Sequence, residues 1–300
     1  MPDTIGFIGL GNMGGRMTAC LVSAGYPVIG YDVQPDIAEQ VGARAAASVG
    51  EVVDAADVVL LSLPDSHVVE RVVNGDEGLL AHVRAGQIVV DLSTASPDST
   101  RRIQGELAAR QVVYLDAGIS GGAAAAEKGT LTLMVGGDPE ALEQVRPVLD
   151  AFSTSIFHCG DSGAGHTAKL LNNFLNAVSL AATAEVMVAG RKAGLDLEVL
   201  LAIINASSGV NFATLNRFPK IIKGDYLKGG LTNALMMKDV ALYTDLAASL
   251  GVASLNASGP LAAFGLAKAL GYADQISNTV VDAIGDVSGG IRIHSGEEQS

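Results

Sequence analysis

The chain has 300 residues, 49% of them hydrophobic and 4% aromatic, with no tryptophan and a formal net charge of −13. That length suits two domains, and an acidic balance argues against nucleic acid, whose phosphates call for a basic face. The two cysteines, Cys20 and Cys159, make neither a disulfide framework nor a metal cluster, so a metal-free protein of the reducing cytoplasm is expected.

The N-terminus, "MPDTIGFIGLGNMG", has no basic stretch ahead of its apolar residues, so no secretory leader is expected. From residue 4 to about 159, short β-branched runs alternate with helical patterns. "TIGFIGL", "PVIGYD", "ADVVLLSLP", "QIVVDLS" and "VVYLDA" read as strands. They are continuous apolar runs rather than alternating ones, as strands buried on both faces require. Helices are expected over 12–24, 65–73 and 97–109. The alternation predicts a parallel, doubly wound sheet. "TLTLMVGG" (130–137) and "SIFHCG" (155–160) read as further strands around a helix at 138–151, which opens on Asp138 and Pro139.

After Gly165 the pattern becomes helical as far as about 288, with breaks near Gly194, 207–209, 228–230 and Gly251. The expected fold is therefore an α/β Rossmann-type doubly wound sheet over 1–163, followed by an all-α domain over 164–300. A long helix, 164–193, joins them. The apolar stretch within 174–190 is interrupted by Asn176, Ser179, Thr183 and Glu185, so no membrane partner is expected.

"GFIGLGNMGGRM" places Gly9, Gly11 and Gly14 in G-x-G-x-x-G spacing between a strand and a helix. Gly9 permits a tight turn, Gly11 lets the backbone approach a pyrophosphate, and Gly14 lets the helix pack on the strand. Leu10, Asn12 and Met13 complete this cofactor loop. Asp32 ends the next strand, about 20 residues on, where an acid binds a ribose diol. A carboxylate there repels a 2′-phosphate, so NAD is expected over NADP. Leu63 and Pro64 of "SLPD" lie on the same carboxyl-end rim; packing of a turn explains them equally well.

Lys169 and Asn173 are four residues apart in "HTAKLLNNFLNAV" and project from one helix face. Together they suit one small oxygenated substrate. A lysine can move a proton if desolvation or a nearby cation brings its pKa toward neutrality, and Lys238 in "MMKDV" is a candidate for that cation. The competing reading is a surface helix with Lys169 in water. "DLSTASP" supplies Ser93 and Thr94 just past a strand. "DAGISGG" supplies Ser120, Gly121 and Gly122, whose hydroxyl and N–H groups suit a carboxylate. An N-cap and a flexible loop are the plainer readings of those two stretches.

Taken as a set, "GFIGLGNMGGRM", "DLSTASP", "DAGISGGAAAAEKGTL", "GDSGAGHTAKLLNNFL" and "MMKDV" resemble the β-hydroxyacid dehydrogenase family, which includes 3-hydroxyisobutyrate dehydrogenase and tartronate semialdehyde reductase. The resemblance follows the family's order over nearly the whole chain. It implies an NAD-dependent oxidoreductase acting on a small carboxylate substrate, a β-hydroxy acid. Lys169 would be its acid/base, and Ser120, Gly121, Gly122 and Asn173 would bind substrate. Thr94 belongs to the cofactor side. Lys238 would lie near nicotinamide and substrate, oriented by Asp239. The resemblance also implies a homodimer or homotetramer. In one departure, Gly118 and Ile119 stand where the family commonly has Pro and Val, which is expected to loosen the approach to Ser120. In another, Leu231 replaces a common Phe and is expected to widen the pocket. Asp32-Val33 resembles the NAD-preferring members. The alternatives are an imine reductase of the same fold, against which Lys169 argues; a 6-phosphogluconate-type enzyme, which would need a basic phosphate cluster; and a non-catalytic dinucleotide-binding relative.

Overall fold

The computed structural model describes residues 4–34, 36–227 and 230–294. The chain divides into two compact units between Lys169 and Leu170. That boundary falls inside a helix, six residues beyond the one expected from the change in pattern.

The first unit runs β1 (Ile5–Ile8), α1 (Gly14–Ser23), β2 (Val28–Tyr31), α2 (Ile37–Gln40), β3 (Arg44–Ala45), α3 (Val49–Ala55), β4 (Val58–Leu61), α4 (Ser66–Asn74), α5 (Leu79–His82) and β5 (Ile88–Asp91). It continues through α6 (Pro97–Ala108), β6 (Val113–Ser120), α7 (Gly122–Glu127), β7 (Leu131–Gly136), α8 (Pro139–Leu149) and β8 (Ser153–Gly160) into α9 (Ala164–Lys192). The strands form one sheet in the order β3-β2-β1-β4-β5-β6-β7-β8. Pairing is parallel from β3 through β6, antiparallel between β6 and β7, and parallel again to β8.

Strand alternation sorts the apolar runs onto two faces. Ile5, Phe7, Val58, Leu60, Ile88 and Val90 enter one core with Met17 and Leu21 of α1. Ile8, Ile29, Val59, Leu61 and Val89 enter the other with Val52 and Ile103. Both faces are therefore covered, as the continuous apolar runs predict. Each fully buried large side chain contributes about 1.5–3 kcal/mol. Helix starts follow local chemistry. Asp65 accepts the Val68 N–H at the start of α4, Asp138 accepts those of Glu140 and Ala141 at α8, and Pro97 and Pro139 occupy first-turn positions.

Two readings need correction. The strand read as "VVYLDA", ending at Ala117, continues as far as Ser120, because pairing with β7 from Asp116↔Gly136 to Ser120↔Thr132 carries β6 onward. Gly118 lies inside that pairing, opposite Met134, so it does not loosen the approach to Ser120.

The second unit contains the rest of α9 and then α10 (Leu197–Asn205), α11 (Phe212–Asn216), α12 (Phe218–Ile221), α13 (Asn233–Ser249), α14 (Ser258–Ala269) and α15 (Val280–Val287). Its core joins Phe174, Leu180 and Met187 of α9 to Phe218, Met236, Val240 and Phe264. Phe174 and Tyr243 stack with ring centroids 3.7 Å apart. Leu231 packs against this core. Among the described residues no helix is long and apolar enough to cross a membrane, and no cluster of His, Cys, Asp and Glu could hold a metal ion.

Candidate active site

Strand order reverses direction at β1, with β2 on one side and β4 on the other. Ligands of open α/β sheets bind at such a switch point, beyond the strands' carboxyl ends. Gly9 leaves β1 there with φ +90°, and a Cβ on it would stand 2.3 Å from the Ser62 carbonyl oxygen. A Cβ on Gly14 would stand 1.9 Å from the Gly9 carbonyl oxygen, so only glycine lets α1 start so close to the strand. A Cβ on Gly11 meets nothing within 4 Å. That open space, beside the positive N-terminal end of α1, fits a pyrophosphate.

Asp32 follows β2. Its Oδ2 accepts the Leu10 N–H at 2.7 Å and its Oδ1 the Gln34 N–H at 2.9 Å. The carboxylate is thus fixed against the glycine loop, with lone pairs left for ribose hydroxyls. Val33 beside it is 86% exposed, and Asn12 accepts Arg16 on its side-chain oxygen at 2.5 Å. Leu63 and Thr94 are half-buried on the β4 and β5 ends, Pro64 is exposed, and Met13 precedes α1. The Ser93 hydroxyl accepts the Leu63 N–H at 2.9 Å, and the Ser93 N–H donates to Asp91 Oδ1 at 3.0 Å. Ser93 therefore fastens two rim turns together, whereas the N-cap of α6 is Ser96, which makes no side-chain cap bond.

The start of α9 is held by side chains distant in sequence. Asp116, fully buried, accepts the N–H of Gly163 at 2.7 Å and of His166 at 2.8 Å. His166 Nδ1 and Thr100 Oγ1 are 2.7 Å apart, and the Tyr114 hydroxyl donates to Asp91 at 2.8 Å. Burial, then the Asp91 charge, push the Tyr114 phenol well above its ordinary pKa. His166, read as structural, is fully buried in this network. The roles of Asp116, Asp91 and Thr100 were not legible in the sequence, because their partners are on other elements.

One turn further on, Lys169 is 8% exposed and Asn173 5%, which removes the surface-helix reading. A Cβ on Gly118 would stand 2.5 Å from Lys169 Cβ and 3.1 Å from its Cγ. The lysine stem thus lies against β6 at a point where there is no side chain. Ser120 is two residues along on the same strand face, about 7 Å away; Gly121 and Gly122, with φ of +126° and +70°, follow it. Within the second unit, Asn173 Nδ2 donates to Asp239 Oδ2 at 2.6 Å, and Lys238 Nζ lies 3.3 Å from Asp239 Oδ1. Asp239 is 1% exposed. The predicted pair Lys238–Asp239 and the helix residue Asn173 are therefore one connected group.

A glycine-loop crevice on a doubly wound sheet, together with a buried lysine and amide on the following helix, defines a dinucleotide-dependent oxidoreductase. Residues 4–160 match the family model for the NAD binding domain of 6-phosphogluconate dehydrogenase, and residues 163–284 match that for the NAD-binding domain of NADP-dependent 3-hydroxyisobutyrate dehydrogenase. The NAD-dependent L-serine dehydrogenase of Pseudomonas aeruginosa is 41% identical over 281 residues, 90% of this chain and 94% of that protein. The 2-(hydroxymethyl)glutarate dehydrogenase of Eubacterium barkeri is 39% identical over 241 residues, 79% of this chain and 80% of that protein. The solved 3-hydroxyisobutyrate dehydrogenase of Mycobacterium tuberculosis with L-serine superposes with a TM-score of 0.86 at 34% identity, covering 95% of this chain and 99% of that one. The chain belongs to the β-hydroxyacid dehydrogenase family. It is an NAD-dependent enzyme of that kind.

Proposed function

We propose that the chain interconverts a 2-substituted 3-hydroxypropanoate and its aldehyde, with Lys169 as general acid/base. The three relatives are named for L-serine, 2-(hydroxymethyl)glutarate and 3-hydroxyisobutyrate. All three compounds are a hydroxymethyl group beside a carboxylate and differ only in the remaining substituent. The observation that carries the reading is the burial of Lys169 and Asn173 one turn apart, with the lysine stem on the strand face that also bears Ser120.

When bound over the Gly9–Gly14 turn, NAD supplies the hydride acceptor for oxidation. Ser120 and the N–H groups of Gly121 and Gly122 hold the substrate carboxylate. Neutral Lys169 takes the hydroxyl proton at Nζ during oxidation and returns it during reduction. Asp239 fixes the Asn173 amide, which orients the reacting oxygen, and holds the Lys238 ammonium beside it. Positioning and proton transfer are the protein's share of the chemistry. General acid–base help of this kind contributes about 10²–10⁴ in rate. Lys169→Ala is expected to lose that much turnover while still binding NADH, read by fluorescence. A variant that keeps most of its turnover overturns the assignment.

The opposite face of α9 carries Leu171, Leu175 and Val186 at 46%, 66% and 47% exposure. That apolar stripe suits a homodimer or homotetramer; sedimentation as a monomer would refute this. Cys20 and Cys159 are both free thiols, which suits the cytoplasm.

A further inference from the structure

Arg217 lies between α11 and α12, half-buried in the second unit. Its Nη1 donates to Ser277 Oγ at 3.2 Å and Asn278 Oδ1 at 2.9 Å, and its Nη2 to Asn176 Oδ1 at 3.2 Å. All three acceptors are neutral. Among the described residues no carboxylate pairs with it, although the chain is strongly acidic; Arg16, Arg71, Arg110 and Arg191 also have none, but of the five only Arg217 has its pKa lowered by burial. Burial pushes its pKa down, and no neighbouring acid opposes that shift. A guanidinium removed from water without a counterion is costly. Three of its five N–H donors are engaged, and those remaining, on Nε and Nη2, form the edge that receives a planar carboxylate side-on.

The place of its partner Asn176 on α9 gives this edge a meaning. Asn176 is three residues beyond Asn173 and seven beyond Lys169, so all three share one face of α9. At 1.5 Å per residue, Asn176 lies about 10 Å along the axis from Lys169 and about 4.5 Å from Asn173. Ser277 in turn donates its N–H at 2.7 Å to the carbonyl of Leu231, the position read from the sequence as widening the pocket.

The geometry points to Arg217, held by Asn176, Ser277 and Asn278, as the receptor for a second carboxylate of the substrate, so that the chain prefers β-hydroxy diacids to monoacids. This rests on the reading that the Lys169–Asn173 face is the substrate face. The neutral oxygens hold the guanidinium in place without neutralising it, and the incoming carboxylate completes the ion pair.

The test separates binding from turnover. Two acids are titrated into the NAD-loaded protein by calorimetry: 3-hydroxyisobutyrate, and its analogue with carboxyethyl in place of methyl. The same diacid with its distal carboxylate converted to an amide is the uncharged control. The wild type is expected to bind the diacid at least about tenfold more tightly than either other compound. Arg217→Met should erase that preference while leaving the monoacid's affinity unchanged, and Arg217→Lys, which keeps the charge but loses the fork, should restore part of it. Equal binding of all three compounds by the wild type, or equal losses for all three in Arg217→Met, as a purely structural arginine would give, overturns the proposal. Turnover by Lys169→Ala tests the catalytic reading separately, because diacid binding to that variant does not depend on proton transfer.

Discussion

Gly118→Ala is the sharpest test of how the lysine is placed. The added methyl would stand 2.5 Å from Lys169 Cβ, 3.1 Å from its Cγ and 3.2 Å from the Gly165 carbonyl oxygen. Carbon atoms rest at about 3.5–4.0 Å, so the strand and the start of α9 must separate by roughly 1 Å. Rotating the lysine gives no relief, because its Cβ is fixed to the backbone. The helix cannot tilt freely either, since Asp116 holds the N–H groups of Gly163 and His166. Overpacking of this size costs about 1–3 kcal/mol of stability, and a displacement of about 1 Å at a reacting group costs up to about 10² in rate. Urea denaturation gives the first quantity, and kcat/KM with NAD and a 3-hydroxy acid the second. NADH binding serves as a control and should be unchanged. If Gly118→Ala keeps both its denaturation midpoint and its kcat/KM within about twofold of wild type, the close approach does not set the lysine's position.

Two other outcomes follow from the same structure. Asp32→Asn keeps an oxygen for the Leu10 N–H but removes the charge that opposes a 2′-phosphate. At about 4 Å that repulsion is roughly 1–4 kcal/mol per pair of charges, so the NAD-over-NADP ratio of kcat/KM should fall by about 5- to 900-fold; an unchanged ratio refutes the role. Asp282 is 6% exposed, and burial raises its pKa despite the Tyr226 hydroxyl at 2.7 Å and Arg292 at 3.9 Å. The folded state therefore holds the proton more tightly than the unfolded chain, and this group costs stability as pH rises above the unfolded value of about 3.9. Asp282→Asn should gain stability relative to wild type as pH rises above about 4. A difference in melting temperature that does not change with pH would contradict this.

Much of the sheet was legible because its strands are covered on both sides, which leaves unbroken apolar runs such as "VVLL" in β4. The glycine loop was legible because each glycine answers a local steric demand. Lys169 and Asn173 were legible as a pair from helical spacing, but not as buried groups. The extension of β6 to Ser120 was hidden, since Gly118 looks like a loop residue until β7 pairs with it. Short helices such as α5 (four residues) offer too few turns for a periodic pattern. Arg217 was invisible for a different reason: its partners are 41, 60 and 61 residues away, and only the folded chain reveals that none of them is acidic.

Asp116 has an implication for redesign. It belongs to a sheet strand, yet it seats the first turn of the helix that bears Lys169. The orientation of that lysine is thus inherited from β6 rather than encoded in its own helix. Transplanting residues 164–176 into another scaffold would move the amine but leave behind its anchor, and a productive chimera would have to carry the aspartate across as well.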